Sequence, residues 1–379
     1  MRDEFESAIS RLLAEQVTPE LLRECELGAA EKRWPAALWA AVQASGFHLA
    51  AAPEAQGGAG ASWADLFAVV RAAGRFNLPL PLPEALLANA LLGHCGLAAI
   101  DAPISLAGAG ELRLADGRVS GVLFDVPWGR EVPQVVAVVS GVAGVAGAAG
   151  ARPCLVLLNA RSAQCEPKLN VAGEPRDDLR FDGVTPLAVA PLPAGTPADV
   201  LLLGGAMLRG AQIAGAMQAV LEQTTRYATE RVQFGKPIGN FQSIQHAIAV
   251  LAEHCGAASV AAECAFAEFA LADTTDANAG RTALATATLP IAAAKICSAE
   301  AASVAAQVAH AVHGAIGFTH EHALQQSTRR LWSWRSEFGN LTHWSQRLGQ
   351  AVCAGGSAAL WPSLTAGQIA LPASQQQSS

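Results

Sequence analysis

The stretch RVQFGKPIGNFQ, Arg231 to Gln242, sets an arginine, two glutamines and two phenylalanines among glycines and a proline. It joins two apolar helical patterns, and a bare helix–helix connection needs none of these residues. Arg231 offers a planar fork of donors. Phe234 offers a ring face. Gly235 permits a tight backbone turn. Such groups contact ligands; the plain alternative pairs Arg231 with Glu230 or Glu222 on the surface. A second cluster, His310, His313, His320 and His322, has spacing on which a metal is conceivable. No nearby cysteine or acid set completes a site, so packed or solvated histidines are the expectation and no metal is assigned. A third stretch, RRLWSWRSEFGNLTHW, holds three tryptophans and three arginines. Basic-aromatic segments can stack on nucleotides; core packing of Trp332 and Trp334 is the equal alternative.

These residues need elements to hold them. The 379-residue chain is too long for one simple core. Its residues are 51% hydrophobic and 15% charged, with net charge -7 and pI near 5.7. An acidic balance argues against nucleic acid, whose binders present a basic stripe. The charged N-terminus lacks an apolar leader, and Gly, Pro or charges interrupt the longest apolar runs, so no membrane span is expected. Eight scattered cysteines form no CxxC and read as reduced thiols of a cytoplasmic protein.

Three zones differ in texture. Residues 1–96 are helical in pattern, with Leu38, Val42 and Phe47 in helical register and Ser62 placed to cap a helix. Residues 97–197 hold short β-branched runs with Asp-Gly turn signals in ADGR and FDGV, which suggest an antiparallel barrel or sandwich. Within them, the glycine-rich GVAGVAGAAGAR lacks the order of a phosphate loop and reads as a hairpin connection. Residues 198–355 are strongly helical and read as an antiparallel four-helix bundle. The polar tail, residues 362–379, reads as disordered. The fold class is α+β: an α-helical N-domain, a central antiparallel β-domain and a C-terminal four-helix bundle.

Three motifs in order resemble the acyl-CoA dehydrogenase family: LWAAVQASGFHLAAAPEAQGGAG, YATERVQFGKPIGNFQSIQHAIAVLAE and HGAIGFTHEH. The resemblance covers most of the chain and implies the same order of domains. It implies FAD bound between β-domain and bundle, its adenine end reaching a second subunit. Arg231, Gln233, Phe234, Gln242, His313 and Gly314 are then the cofactor contacts. It implies α,β-dehydrogenation of an acyl-CoA, in the setting of fatty acid metabolism. Electrons leave to an electron-transfer flavoprotein, and the chain forms a dimer or tetramer with itself or with a related subunit.

The sequence departs from the family pattern at the reacting centre. The family's base, a glutamate that burial makes more basic, falls at Phe338 on alignment through Gly317, Arg329 and Gly339. Its alternative place, on the first bundle helix, falls near Gly205. Glu337, one residue out of register, is the candidate base, with Glu321 behind it. The plain alternative pairs Glu337 with Arg335 or Arg330. Trp128 stands where the family keeps a flavin-facing tryptophan, and Ala311 where it keeps a glutamine. The rival reading is a non-catalytic or half-site partner subunit of a heteromeric acyl-CoA dehydrogenase.

Overall fold

Ser62 starts the best-defined helix of the N-domain: its hydroxyl accepts from the Asp65 amide at 3.2 Å, satisfying a donor that the helix itself leaves free. This is α4 (Trp63–Arg75), preceded by α1 (Arg2–Gln16), α2 (Pro19–Leu27) and α3 (Ala36–Ser45), and followed by α5 (Leu82–His94). The helix α3 stops at Gly46, whose φ of 76° is left-handed. The computed structural model describes residues 1–27, 34–142, 152–269, 271, 283–319 and 321–366. Residues 143–151, most of the glycine-rich stretch, and His320 lie outside these residues.

Two four-stranded sheets follow. One holds β1 (Ile104–Leu106), β4 (Gln134–Val142), β5 (Arg152–Asn159) and β8 (Ala188–Pro191), in the order β1-β4-β5-β8. The other holds β2 (Ala109–Ala115), β3 (Arg118–Pro127), β6 (Gln164–Glu166) and β7 (Arg176–Val184), in the order β2-β3-β7-β6. All pairs are antiparallel except β1 with β4, which is parallel. The ADGR signal does make the β2–β3 hairpin: Asp116 and Gly117 have φ of 50° and 71°, the two positive values a tight primed turn requires. FDGV does not turn the chain. Asp182 and Gly183 lie inside β7, near an irregular pairing with β3. Val119, Leu123, Val135, Val156 and Phe181 fill the space between the sheets.

The bundle consists of α6 (Val200–Glu230), α7 (Gln242–Glu268), α8 (Ala283–His313) and α9 (Leu324–Trp334), with α10 (Leu341–Gly355) packed on α8. A last helix, α11 (Ser357–Ala366), carries ordered chain past the expected start of the tail at 362; residues 367–379 lie outside the described part. Three segments are long and apolar enough to cross a membrane by length and composition: α6, α7 and Thr288–Phe318. Sequence runs broken by single polar residues concealed this. For α6 the fold explains the apolarity, since 94% of its apolar window is buried. For α7 only 22% is, so this helix leaves a long face uncovered by the described chain.

The N-domain reaches the bundle through α4 and α6, whose backbones touch at two glycines. A Cβ on Gly74 would lie 2.0 Å from the Gln212 carbonyl oxygen, and one on Gly215 would lie 1.9 Å from that of Arg71. Neither carbonyl can swing away without breaking its own helix. Gly215→Ala should therefore separate the helices and cost about 1–3 kcal/mol. A fall in melting temperature of several degrees is the expected reading. An unchanged value would contradict the close approach.

Candidate functional site

The Arg231–Gln242 segment forms a minute hairpin between α6 and α7. Its strands are β9 (Val232–Gln233) and β10 (Lys236–Pro237), closed by Phe234 and Gly235. Both turn residues have positive φ, 53° and 80°. A glycine takes this without strain; a phenylalanine does not. Phe234 is nonetheless 92% exposed, so little packing among the described residues offsets this strain. It leans edge-on toward Phe241, with ring centroids 6.2 Å apart, and the Lys236 ammonium sits 4.4 Å from the Phe241 ring centre. The Ile238 amide donates to the Arg231 carbonyl at 2.8 Å and locks the hairpin base.

This hairpin walls one side of a cleft of about 400 Å³, and the C-terminal end of α8 walls the other. Arg231, Gln233, Phe234, His313 and Gly314 all line it, with Tyr227. The structure thus gathers five of the six expected cofactor contacts in one groove. Gln242 is not a lining residue, but its neighbours Phe241 and Ser243 are. None of the described residues gives Arg231 an ion pair. Glu222 is engaged by Arg75 at 3.1 Å instead.

Part of the groove is formed by His313, stacked on Tyr227 at 4.4 Å between centroids. Its Nδ1 lies 2.8 Å from the Ala309 carbonyl, so Nδ1 carries the proton and donates. Burial lowers its pKa, against the pull of that backbone bond, so the ring is neutral and Nε2 holds a lone pair. That Nε2 is buried and has no hydrogen-bond partner among the described residues. His310 bonds Thr328 at 2.9 Å, and His322 accepts the Leu324 amide through Nδ1 at 3.1 Å.

The second region lies where α5, α6, α9 and the second sheet meet. Glu337 follows α9, and its carboxylate is fully engaged. Arg176 Nε donates to one oxygen at 2.9 Å and Arg209 Nε to the other at 2.7 Å, with Asn170 adding a bond of 3.0 Å. Burial alone would raise its pKa; the Arg176 and Arg209 guanidiniums overcome this and hold it down at about 2. A carboxylate in that state is a poor acceptor for a proton from carbon. Neither arginine weighed from the sequence is its partner. Arg330 bonds Glu26 and Glu174, and Arg335 bonds Ser303 and lies over Trp332.

Phe338, at the aligned base position, turns with a φ of 53°. Its ring enters a notch between Gly108 and Gly205, where added Cβ atoms would lie 2.5 and 2.1 Å from its Cδ1. The two places where the family pattern allows a base are therefore in contact, and neither is acidic. The Arg209 guanidinium caps the ring at 5.1 Å, and Trp344 Nε1 donates to the Phe338 carbonyl at 3.0 Å. Trp128 is buried, with the Arg176 guanidinium 5.0 Å from its ring centre. Glu321, the reserve candidate, is exposed. Sequence reasoning passed over Arg209, yet a lone arginine amid GGAMLRGAQIAGAM marks a buried charge that must find a partner.

Comparison with known proteins bears on both regions. The acyl-CoA dehydrogenase N-terminal domain model matches residues 2–113, and the C-terminal domain model matches residues 200–340. "Acyl-CoA dehydrogenase IpdE2" of Mycobacterium tuberculosis is 29% identical over 335 residues, covering 87% of this chain and 90% of that protein. Among solved structures, the ChsE4-ChsE5 complex from Mycobacterium tuberculosis superposes with a TM-score of 0.79 at 20% identity, covering 94% of this chain and 98% of that one. The glutaryl-coenzyme A dehydrogenase glutaryl-CoA complex gives a TM-score of 0.71 at 17% identity, covering 99% and 97%. With both domain models matched in order on this three-part fold, the chain belongs to the acyl-CoA dehydrogenase family, FAD-dependent oxidoreductases whose reaction is the α,β-dehydrogenation of acyl-CoA thioesters.

Proposed function

We propose that this chain serves acyl-CoA dehydrogenation as a half-site subunit, lending its outer groove to FAD while a related chain supplies the base. The contrast between the two regions carries this reading. The groove is open, and among the described residues Arg231 has no ion pair and His313 Nε2 no hydrogen bond. The reacting centre is filled by Phe338 and Gly205, and Glu337 is neutralised on both oxygens. The ChsE4-ChsE5 complex, which joins two differently named chains on this fold, is compatible with such a pairing.

In the groove, Arg231 would donate to the FAD phosphates, and the exposed Phe234 ring would give the adenine a face. His313 supports the fit, because its unpartnered Nε2 can accept a bond from a ligand N–H or O–H. Gln233 and Gln242 flank the hairpin as further polar contacts, and Gly314 lets the chain turn close to the ligand. Bound FAD supplies the hydride acceptor, and an electron-transfer flavoprotein would take the electrons onward. Eight free cysteines suit a reducing compartment and support a cytoplasmic location.

Arg231→Ala in the purified assembly should weaken FAD binding by roughly 10–100-fold, the worth of a charged hydrogen bond. The far-ultraviolet helical signal should persist. Full flavin occupancy after dialysis would rule out the groove as an FAD contact.

A second expectation concerns acid. Glu337 titrates at about 2 in the folded chain against an ordinary 4.5. A depressed carboxylate stabilises the fold fully above about pH 4.5, and that contribution is lost as pH falls toward 2. Glu337→Gln should lower stability at pH 7 and flatten the stability curve over that interval. Parallel acid curves for the two proteins would show that the ion pairs contribute nothing.

A further inference from the structure

The acids and bases around Glu337 form one alternating chain among the described residues: Arg329–Glu26–Arg330–Glu174–Arg176–Glu337–Arg209–Glu84. Four carboxylates face four guanidiniums, so the run is neutral without a ligand. All but Arg329 and Glu337 are almost wholly buried. We infer that the inner cleft of this chain is sealed by its own side chains, and that any flavin ring in the assembly sits on the partner's side. The inference rests on the half-site reading and deepens it.

Three observations carry it. The Trp128 face that a flat ring would need is covered by Arg176. Arg176 is held there by Glu337, by Glu174 at 2.9 Å and by the Pro175 carbonyl at 2.8 Å. Lifting it away would take from each of two buried carboxylates one of its two guanidinium partners, a penalty in a dry environment. The third is the wedge. Phe338 accepts a left-handed backbone, which a large side chain normally avoids. Its ring then enters a notch that exists only because Gly108 and Gly205 lack a Cβ. Three positions are thus mutually fitted, and their joint effect is to fill the space. Lys295, buried in α8, completes the seal by donating to the Trp334 and Arg335 carbonyls at 2.8 and 2.9 Å, which ties the end of α9 in place.

A ring excluded here leaves the outer groove as this chain's contribution to FAD. The assembly should therefore contain no more than one FAD for each pair of chains. Flavin absorbance against chain number in the assembly as purified reads this directly. One FAD per chain would overturn the sealing while leaving the outer-groove reading intact. Undiminished flavin after Arg231→Ala would do the reverse. Phe338→Ala supplies a measurement that needs no flavin. If the ring fills the notch, its removal leaves a cavity, and the melting temperature should fall by roughly 5 °C or more. The flavin count should stay the same, because Arg176 still covers Trp128. An unchanged melting temperature, or a second FAD taken up by this variant, would overturn the proposal.

Discussion

A charge buried without a partner is more costly than almost anything else a fold contains. Here that constraint joins the three parts of the molecule. Glu26 and Glu84 come from the N-domain, Glu174 and Arg176 from the β-domain, and Arg209, Arg329, Arg330 and Glu337 from the bundle. Each of the three supplies charges that pair with charges from another. Apolar contact alone would let the parts slide, since Leu and Ala surfaces accept many registers. Directed bonds from planar guanidiniums accept very few. The ionic run therefore sets where the β-domain lies on the bundle. The large shared apolar core, from Ile9 through Leu87 and Val136 to Trp344, then packs around that arrangement.

The order of helices, sheets and helices was legible because it depends on local properties. Ser62 beside Trp63, Asp116 beside Gly117 and the helical spacing of Met207, Ala211 and Ala214 each act over a few residues. The Arg231–Gln242 hairpin was legible for the same reason. The inner cluster was not. Glu337 meets Arg209 across 128 positions and Arg176 across 161. No periodicity encodes such pairings, so the nearer arginines 330 and 335 were the natural partners to suppose. FDGV misled because an Asp-Gly pair serves a strand irregularity as well as a turn. The parallel β1–β4 pair escaped notice because strand direction is decided by which edge remains free, not by strand composition.

The outer groove and the inner cluster follow opposite physical rules. In the groove, Phe234 bears backbone strain and full exposure, and His313 keeps a buried lone pair unused. Both are costs to the isolated chain, which a ligand or neighbour would offset. In the cluster, nearly every donor and acceptor is answered from within. The long face of α7 that the described chain leaves open begins at the hairpin.

Buried ion pairs are not the route to greatest stability. Well-packed apolar residues of similar volume often serve as well or better. What the ion pairs supply is direction. A base at position 338 would need open space before it and a pKa raised by burial. Both conditions are absent once Arg209 reaches Glu337 and the ring of position 338 turns onto Gly205. The same arginine that joins the domains therefore also helps to hold the Glu337 carboxylate ionised. Interdomain geometry and the ionisation of Glu337 are thus coupled at Arg209, which bonds Glu84 and Glu337 at once.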